Sequence, residues 1–394
     1  MKAVLPIFIL VDACGWEIMR ERSFLESVAP RRHRLESVFG YSSTCVPSIV
    51  SGRWPAQHRN WCYYAYDPAG SPFKHLSSLR WLPRALTSRR RVRRVLTKLA
   101  RRGLGFEGYF DLYNMPFEHI GLYNFTERKS PLRAGGMNSG TNIFDFLETE
   151  KIKYFASDPN KTEKENLGAL LDQINTGEID FSFSYWPALD GLLHRVGNKS
   201  SDIAPRLREY EDWIAQVCQA AHSQYEEVRL YVFGDHGMAN CDELLDLKAK
   251  IDALPLQMPR DYAVVYDSTM ARFWFFNDEA RRAITACLGQ VPQGRIVPDE
   301  ELEKLGAFFP DRYFGELIFL VKEGVLIVPS HMGERPIRAM HGYHPTETHS
   351  FAALFTSHEI PESITAIPHM YNLMKETALL AKSANDPGPA VLQA

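Results

Sequence analysis

Four short apolar runs, spaced along the chain and separated by amphipathic stretches, limit what this sequence can fold into. "VLPIFILVD" opens the chain, "IKYFASD" begins at Ile152, "IDFSFSYW" at Ile179 and "VRLYVFGDHG" at Val228. Each is bounded by polar residues or glycine, the pattern of strands buried on both faces. Between such runs, "APRLREYEDWIAQVCQAAH" places Leu207, Tyr210, Ile214, Val217 and Ala221 on one helical stripe with charges opposite. Strands alternating with helices predict an α/β fold, with a central, mainly parallel sheet flanked by helices on both faces. Polar functional residues then belong at the C-terminal ends of the strands.

Two stretches break the alternation. Residues 65–140 are rich in Gly, Pro, Arg and aromatics, and residues 242–330 read as helix followed by hairpin-like strands ("YAVVYD", "ARFWFF", "ELIFLV", "VLIVP"). Both are read as insertions, capping or accessory, into an α/β core built from 1–64, 141–241 and 331–394. The tail "KSANDPGPAVLQA" is expected to fray. Within the first insertion, residues 80–102 ("RWLPRALTSRRRVRRVLTKLARR") carry nine arginines, one lysine and no acid. On a chain of net charge −3, such a run can attract phosphates, acidic lipids or nucleic acid. It can equally be a solvated face paired with acidic patches elsewhere.

The six cysteines lack CxxC spacing, which argues against a zinc knuckle or a disulfide scaffold and favours a reducing compartment. "MKAVLPIFILVDACG" has a lipoprotein-signal outline, but its apolar run is short and Asp12 stands where a small residue is wanted. A first buried strand over 3–11 fits better. No stretch reaches the roughly 18 apolar residues of a membrane span, so the expectation is a soluble, cytoplasmic protein.

Several Asp and His residues stand where strands end. Asp12 closes the first run, Asp190 and His194 lie four apart in "YWPALDGLLHRVG", Asp235 and His236 follow "LYVFG", and His341 sits in "MHGYHPTETH" with His344 and His349 nearby. Singly, each has an ordinary explanation as a helix cap, turn former or surface residue. Together, three carboxylates, three imidazoles and a hydroxyl supply enough ligands for two divalent ions. Mixed Asp/His ligation suits Zn²⁺ first, with Mn²⁺ or iron as alternatives. Two cations about 4 Å apart serve displacement at phosphorus, and they activate a hydroxyl that is otherwise a poor nucleophile. "FGYSSTCVPSIVSGRWPAQH" offers the candidates Ser42, Ser43, Thr44 and Ser48.

These motifs resemble the alkaline phosphatase superfamily, and most of all its nucleotide pyrophosphatase/phosphodiesterase and phosphonoacetate hydrolase branch. The matching pieces are "ILVDACGW", "YSSTCVPSIVSGRWPAQH", "YWPALDGLLHRVG", "VFGDHGM" and "MHGYHP", in the family's order. The resemblance implies that Asp190, His194 and His341 hold one metal, and that Asp12, Asp235 and His236 hold the other with the nucleophile. It also implies a covalent phospho-enzyme that water then hydrolyses. The family's nucleophile lies ten residues before the glycine of a small-residue/Gly pair. Here that glycine is Gly52, which selects Ser42. Pro47, deeper than the first-turn position proline prefers, keeps Thr44 as runner-up, with Ser43 third. His344 stands where the phosphodiesterases more often carry an acid. The sulfatase Cys-x-Pro-Ser-Arg pattern is not met at Cys45.

The function read from the sequence is therefore two-metal hydrolysis of a phosphate ester, most closely that of a phosphodiesterase. A phosphomonoesterase or phosphonate hydrolase is the alternative within the superfamily. An inactive metal-binding relative serving as an anion-binding module is the alternative from another class. The expected partner is a small phosphate ester, with an anionic contact through 80–102.

Overall fold

The computed structural model describes residues 1–81 and 89–386. Six strands form the central sheet: β1 (Lys2–Val11), β2 (Arg31–Leu35), β3 (Tyr154–Ala156), β4 (Phe181–Trp186), β5 (Tyr225–Phe233) and β6 (Ala352–Thr356). Their spatial order is β2-β6-β5-β1-β4-β3. β1 pairs in parallel with both β4 and β5, and β3 pairs in parallel with β4, whereas β6 runs antiparallel to β5 and to β2. The sheet is thus mainly parallel, with one reversed strand near an edge.

Side chains alternate across β1, so its unbroken apolar run feeds two cores. Leu5, Ile7, Ile9 and Val11 pack with residues of α3 (Glu163–Thr176) and α5 (Ile203–His222), among them Leu170, Ile174, Tyr210 and Ile214. Phe8 and Leu10 face the other way, toward α1 (Ser42–Ser51) and α6 (Met370–Asn385) through Ile49, Val50, Leu373 and Met374. α6 extends four residues into the tail expected to fray. The side chain of Asn385 takes up both the N–H and the C=O of Val4 at 2.9 Å, which secures the helix end to β1. Residues 387–394 of that tail lie outside the described residues.

Two strands fall outside the four apolar runs read as strands. β2 reads RRHRL, a charged edge strand of the kind that resists pairing with other chains. β6 reads AALFT and is wholly buried.

The aromatic-rich segment contributes an antiparallel pair, Tyr64–Tyr66 with Tyr123–Phe125, and α2 (Arg90–Leu104). Residues 82–88 of the Arg-rich run lie outside the described residues. A second, antiparallel sheet follows the order Tyr262–Tyr266, Met270–Phe275, Leu317–Val321, Gly294–Ile296. Val325–Ile327 does not join it and pairs with Glu243–Leu245 instead. The two segments share one core: Tyr64, Phe73, Phe110 and Phe125 pack with Ala263, Val265 and Trp274.

Candidate metal centre

The C-terminal ends of β1, β4 and β5 open on one side of the molecule, and the chemistry-bearing residues of the sequence meet there. Asp12 follows β1 directly. Gly234 alone separates β5 from Asp235 and His236. Asp190 and His194 lie one turn apart on α4 (Ala188–Val196), which starts two residues after β4 and presents both to the same side. His341 follows Ala339–Met340, which pairs with Ala239–Asn240 just beyond His236.

Two triads result. The ligand atoms of Asp12, Asp235 and His236 lie within 4.8 Å of one another, as do those of Asp190, His194 and His341. His236 Nε2 stands 3.4 Å from Asp12 Oδ1 and 3.3 Å from Asp235 Oδ2. Asp190 Oδ1 is 3.2 Å from His194 Nε2 and 3.6 Å from His341 Nε2. The His236 and His341 rings stack at 3.7 Å and join the triads.

Backbone turns aim these groups. Ala13 adopts φ +60°, and its N–H donates to Asp235 Oδ1 at 3.1 Å. Gly15 sits where a Cβ would come 2.5 Å from the Cα of Gly237, so two loops at strand ends approach as closely as backbones can. The Gly237 carbonyl accepts from His236 Nδ1 at 2.9 Å, and the Ala339 carbonyl accepts from His194 Nδ1 at 2.8 Å. Because a carbonyl only accepts, both rings carry a proton on Nδ1 and turn Nε2 toward the carboxylates.

The four hydroxyls are no longer equivalent. Ser42 Oγ, on the first residue of α1, is 2.9 Å from His236 Nε2. Ser43 and Thr44 both donate to the Trp61 carbonyl at 3.2 Å, and Ser48 pairs with buried His58 at 2.9 Å. Pro47 does not delay the helix, which begins at Ser42 with Pro47 inside it. The missing N–H and the ring clash cost about 3 kcal/mol. Burial of Val46, Ile49 and Val50 on the same helix offsets this at roughly 1.5–3 kcal/mol each. His344 turns away to Glu301 at 2.9 Å, and His349 to Glu323 at 2.7 Å.

Charge is the notable property of the centre. Burial and the neighbouring Asp235 and Asp190 push the Asp12 carboxyl well above its usual range. Burial likewise raises Asp235 to about 7. Burial opposes protonation of His194, but Asp190 overrides it and holds the imidazole at about 9. Asp190 moves down, against its own burial, through His194 and the two other imidazoles. Asp12 Oδ1, Asp190 Oδ1 and Asp235 Oδ2 are buried and accept no hydrogen bond. Buried carboxylate oxygens clustered beside imidazole Nε2 atoms are the donor set of a divalent-cation site.

A cavity of about 550 Å³ opens from the triads, lined by Ser42, Tyr63, Tyr109, Tyr113, Glu127 and Tyr185 among others. Several of these escaped the sequence reading. Tyr185 donates its phenol to Asp12 Oδ2. Glu127 is raised to about 8 by burial, although the Tyr109 N–H opposes the shift. The signal for Tyr185 was its place near the end of an apolar strand leading to Asp190. Tyr63, Tyr109 and Tyr113 lie in aromatic-rich stretches whose rings could stack on a base or sugar or pack the segment's own core, and the sequence did not separate the two. Glu127 carried no signal.

A family model described as type I phosphodiesterase / nucleotide pyrophosphatase matches residues 7–344, most of the chain. The chain belongs to that family. It is therefore a metal-dependent hydrolase of phosphoric esters; the family implies divalent ions, and the paired triads are candidate ligand clusters for them. Similar solved folds include human ectonucleotide pyrophosphatase/phosphodiesterase 5, at 12% identity and TM-score 0.66, covering 96% of this chain and 95% of that one. The murine form follows at 13% identity and TM-score 0.64 with the same coverage, both as such and as an inactive threonine-to-alanine variant in complex with AMP. No curated protein sequence matches the chain.

Proposed function

We propose that this phosphodiesterase-family protein cleaves nucleotide-type phosphodiesters through a covalent phosphoserine on Ser42. The observation that carries the reading is the placement of Ser42 Oγ, 2.9 Å from His236 Nε2 at the start of a helix and beside both triads. Asp12, Asp235 and His236 would hold one divalent ion together with Ser42. Asp190, His194 and His341 would hold the second. Zn²⁺ suits this nitrogen and oxygen donor set best, with Mn²⁺ next. Bound there, the pair of cations lowers the pKa of the attacking hydroxyl and offsets charge on the leaving oxygen.

The chain's own groups do the rest. Ser42 Oγ attacks phosphorus in line with the departing oxygen, which leaves with a proton. Phosphorus stays on Ser42 as an esterified phosphoserine still carrying the nucleoside, and water later cleaves the Ser42 Oγ–P bond to release the nucleoside monophosphate. The first N–H groups of α1 have no acceptor within the helix and face the phosphoryl oxygens, where the helix dipole also favours negative charge. Tyr185 keeps Asp12 oriented through its phenol. The tyrosine-lined cavity of about 550 Å³ is of a size for the nucleoside of such a substrate, and the AMP complex of a structural neighbour supports that substrate class.

The test compares Ser42→Ala with Thr44→Ala on an aryl nucleotide diester. Ser42→Ala should lower kcat by at least about 10³, the scale of losing a nucleophile. Thr44→Ala should keep turnover and lose about 1 kcal/mol of stability with its hydrogen bond to Trp61. The reverse pattern would remove Ser42 from the role. EDTA should abolish hydrolysis, and Zn²⁺ or Mn²⁺ should restore it.

A further inference from the structure

The Arg-rich helix α2 takes no part in the chemistry above, yet it is the most strongly patterned surface of the molecule. Its 15 residues, RRVRRVLTKLARRGL, contain six arginines, one lysine and no acid. One side is inward: Ala100 is buried, Leu96 and Leu104 pack against the aromatic core, and Arg93 is buried with its guanidinium donating to the Met115 carbonyl at 2.8 Å and lying over the Phe117 ring.

The other side carries Arg91, Arg94, Val95, Lys98, Leu99 and Arg102, spaced so that they fall on one face along about 17 Å of helix. All six are exposed, with Val95 at 58% and Leu99 at 63%. Among the described residues, none of the four cations is held in an ion pair. The face ends beside a basin of about 430 Å³ lined by Lys98, Arg101, Arg102 and Arg133. Arg101 also lines the catalytic cavity and is secured by the Phe106 and Glu107 carbonyls and Asn160 at 3.0–3.3 Å.

A solvated face has no use for two aliphatic side chains in its centre, and a nucleic-acid backbone would reward the cations while leaving Val95 and Leu99 in water. A bilayer interface accommodates both: the aliphatics enter the headgroup boundary, and the long Arg and Lys stems let their charges meet lipid phosphates. We propose that α2 seats this protein reversibly on an anionic phospholipid surface, with the catalytic cavity held at the edge of that contact through Arg101. With two aliphatics on this face, attachment through α2 is electrostatic in the main and weakens with salt. The proposal does not depend on the hydrolase assignment.

The metal-loaded protein is floated with vesicles of phosphatidylcholine alone and of phosphatidylcholine mixed with phosphatidylglycerol. Binding is expected only to the anionic vesicles. Replacing all four cations (Arg91→Gln, Arg94→Gln, Lys98→Gln, Arg102→Gln) should weaken it by about 100-fold or more, since each cation near such a surface is worth roughly fivefold. Gln keeps helix propensity close to that of Arg and Lys, so circular dichroism and hydrolysis of a soluble aryl diester should match wild type. The pair Val95→Ser and Leu99→Ser should bind anionic vesicles several-fold less tightly. Equal binding to neutral vesicles would overturn the proposal, as would wild-type binding by the four-cation variant. Undiminished binding by the Val95/Leu99 variant, with RNA as an effective competitor, would overturn it in favour of a general polyanion site.

Discussion

Tyr185 is the residue whose removal separates orientation from ligation. Its phenol donates to Asp12 Oδ2, leaving Asp12 Oδ1 without a hydrogen bond and open to the proposed cation. Tyr185→Phe keeps the ring and loses the proton donor, so the Asp12 carboxylate binds protons more readily and metal less well. Metal affinity measured by titration should fall about 10–100-fold, the usual scale for a group hydrogen-bonded to a ligand, with kcat recovering at saturating metal. The carboxylates themselves give the protein a pH signature. Asp12 and Asp235 have folded-state pKa values raised above the unfolded ones, with Asp235 near 7. Their contribution to the stability of chelated protein is therefore present below about pH 4 and lost as pH rises, that of Asp235 through about 7. His194, raised to about 9, extends the same trend: its contribution is complete below about 6.5 and lost through about 9. Melting temperature of the EDTA-treated protein should fall between about pH 5 and 8, whereas the metal-loaded protein should show little of this slope. A flat profile for the chelated protein would contradict the buried, mutually repelling carboxylates. Calorimetry should also find protons released on metal binding near pH 6.

The elements that carry the site meet through close backbone approaches at their ends, which is where sequence reading succeeded unevenly. β1, β4 and β5 were legible because strands covered on both faces must be apolar throughout, and the Asp and His residues at their ends broke those runs visibly. β2 was not legible, because an edge strand written RRHRL owes its conformation to pairing with β6 rather than to burial. The start of α1 was obscured by Pro47, whose local cost is overridden by packing that no local pattern reveals. Gly40 bears on the same helix. It adopts φ +148°, and a Cβ there would come 2.4 Å from Thr44 Oγ1, so only glycine delivers the chain into the first turn of α1. Gly40→Ala should displace that turn. Expected is a loss of at least about tenfold in kcat at unchanged metal stoichiometry, with about 1–3 kcal/mol of stability lost in denaturant unfolding. Wild-type turnover in Gly40→Ala would mean that the position of Ser42 does not rest on this entry.

At the scale of the whole molecule, the two segments that interrupt the α/β pattern form a joint wall over the ends of the strands. Tyr66 lies 5.9 Å from Trp274 ring to ring, and the aromatic core of 64–125 closes on Ala263 and Val265. This division explains why substrate identity was the least legible property of the sequence. The triads are written in strand-end motifs, but the cavity depends on which rings of one segment are left over after packing against the other. Tyr109 is such a ring, 50% exposed. Tyr63 and Tyr113 pack the core on one side and line the cavity on the other, and the three centroids lie 5.4–6.4 Å apart. If a nucleobase stacks there, Tyr109→Ala removes an interaction of about 1–3 kcal/mol that a small aryl methyl diester never makes. KM for a nucleotide diester should then rise roughly 5- to 100-fold at nearly constant kcat, while kcat/KM for the small diester stays within about twofold of wild type. An equal loss for both substrates would assign the ring to the fold of the wall instead, because a packing defect transmitted to Ser42 does not distinguish the two diesters.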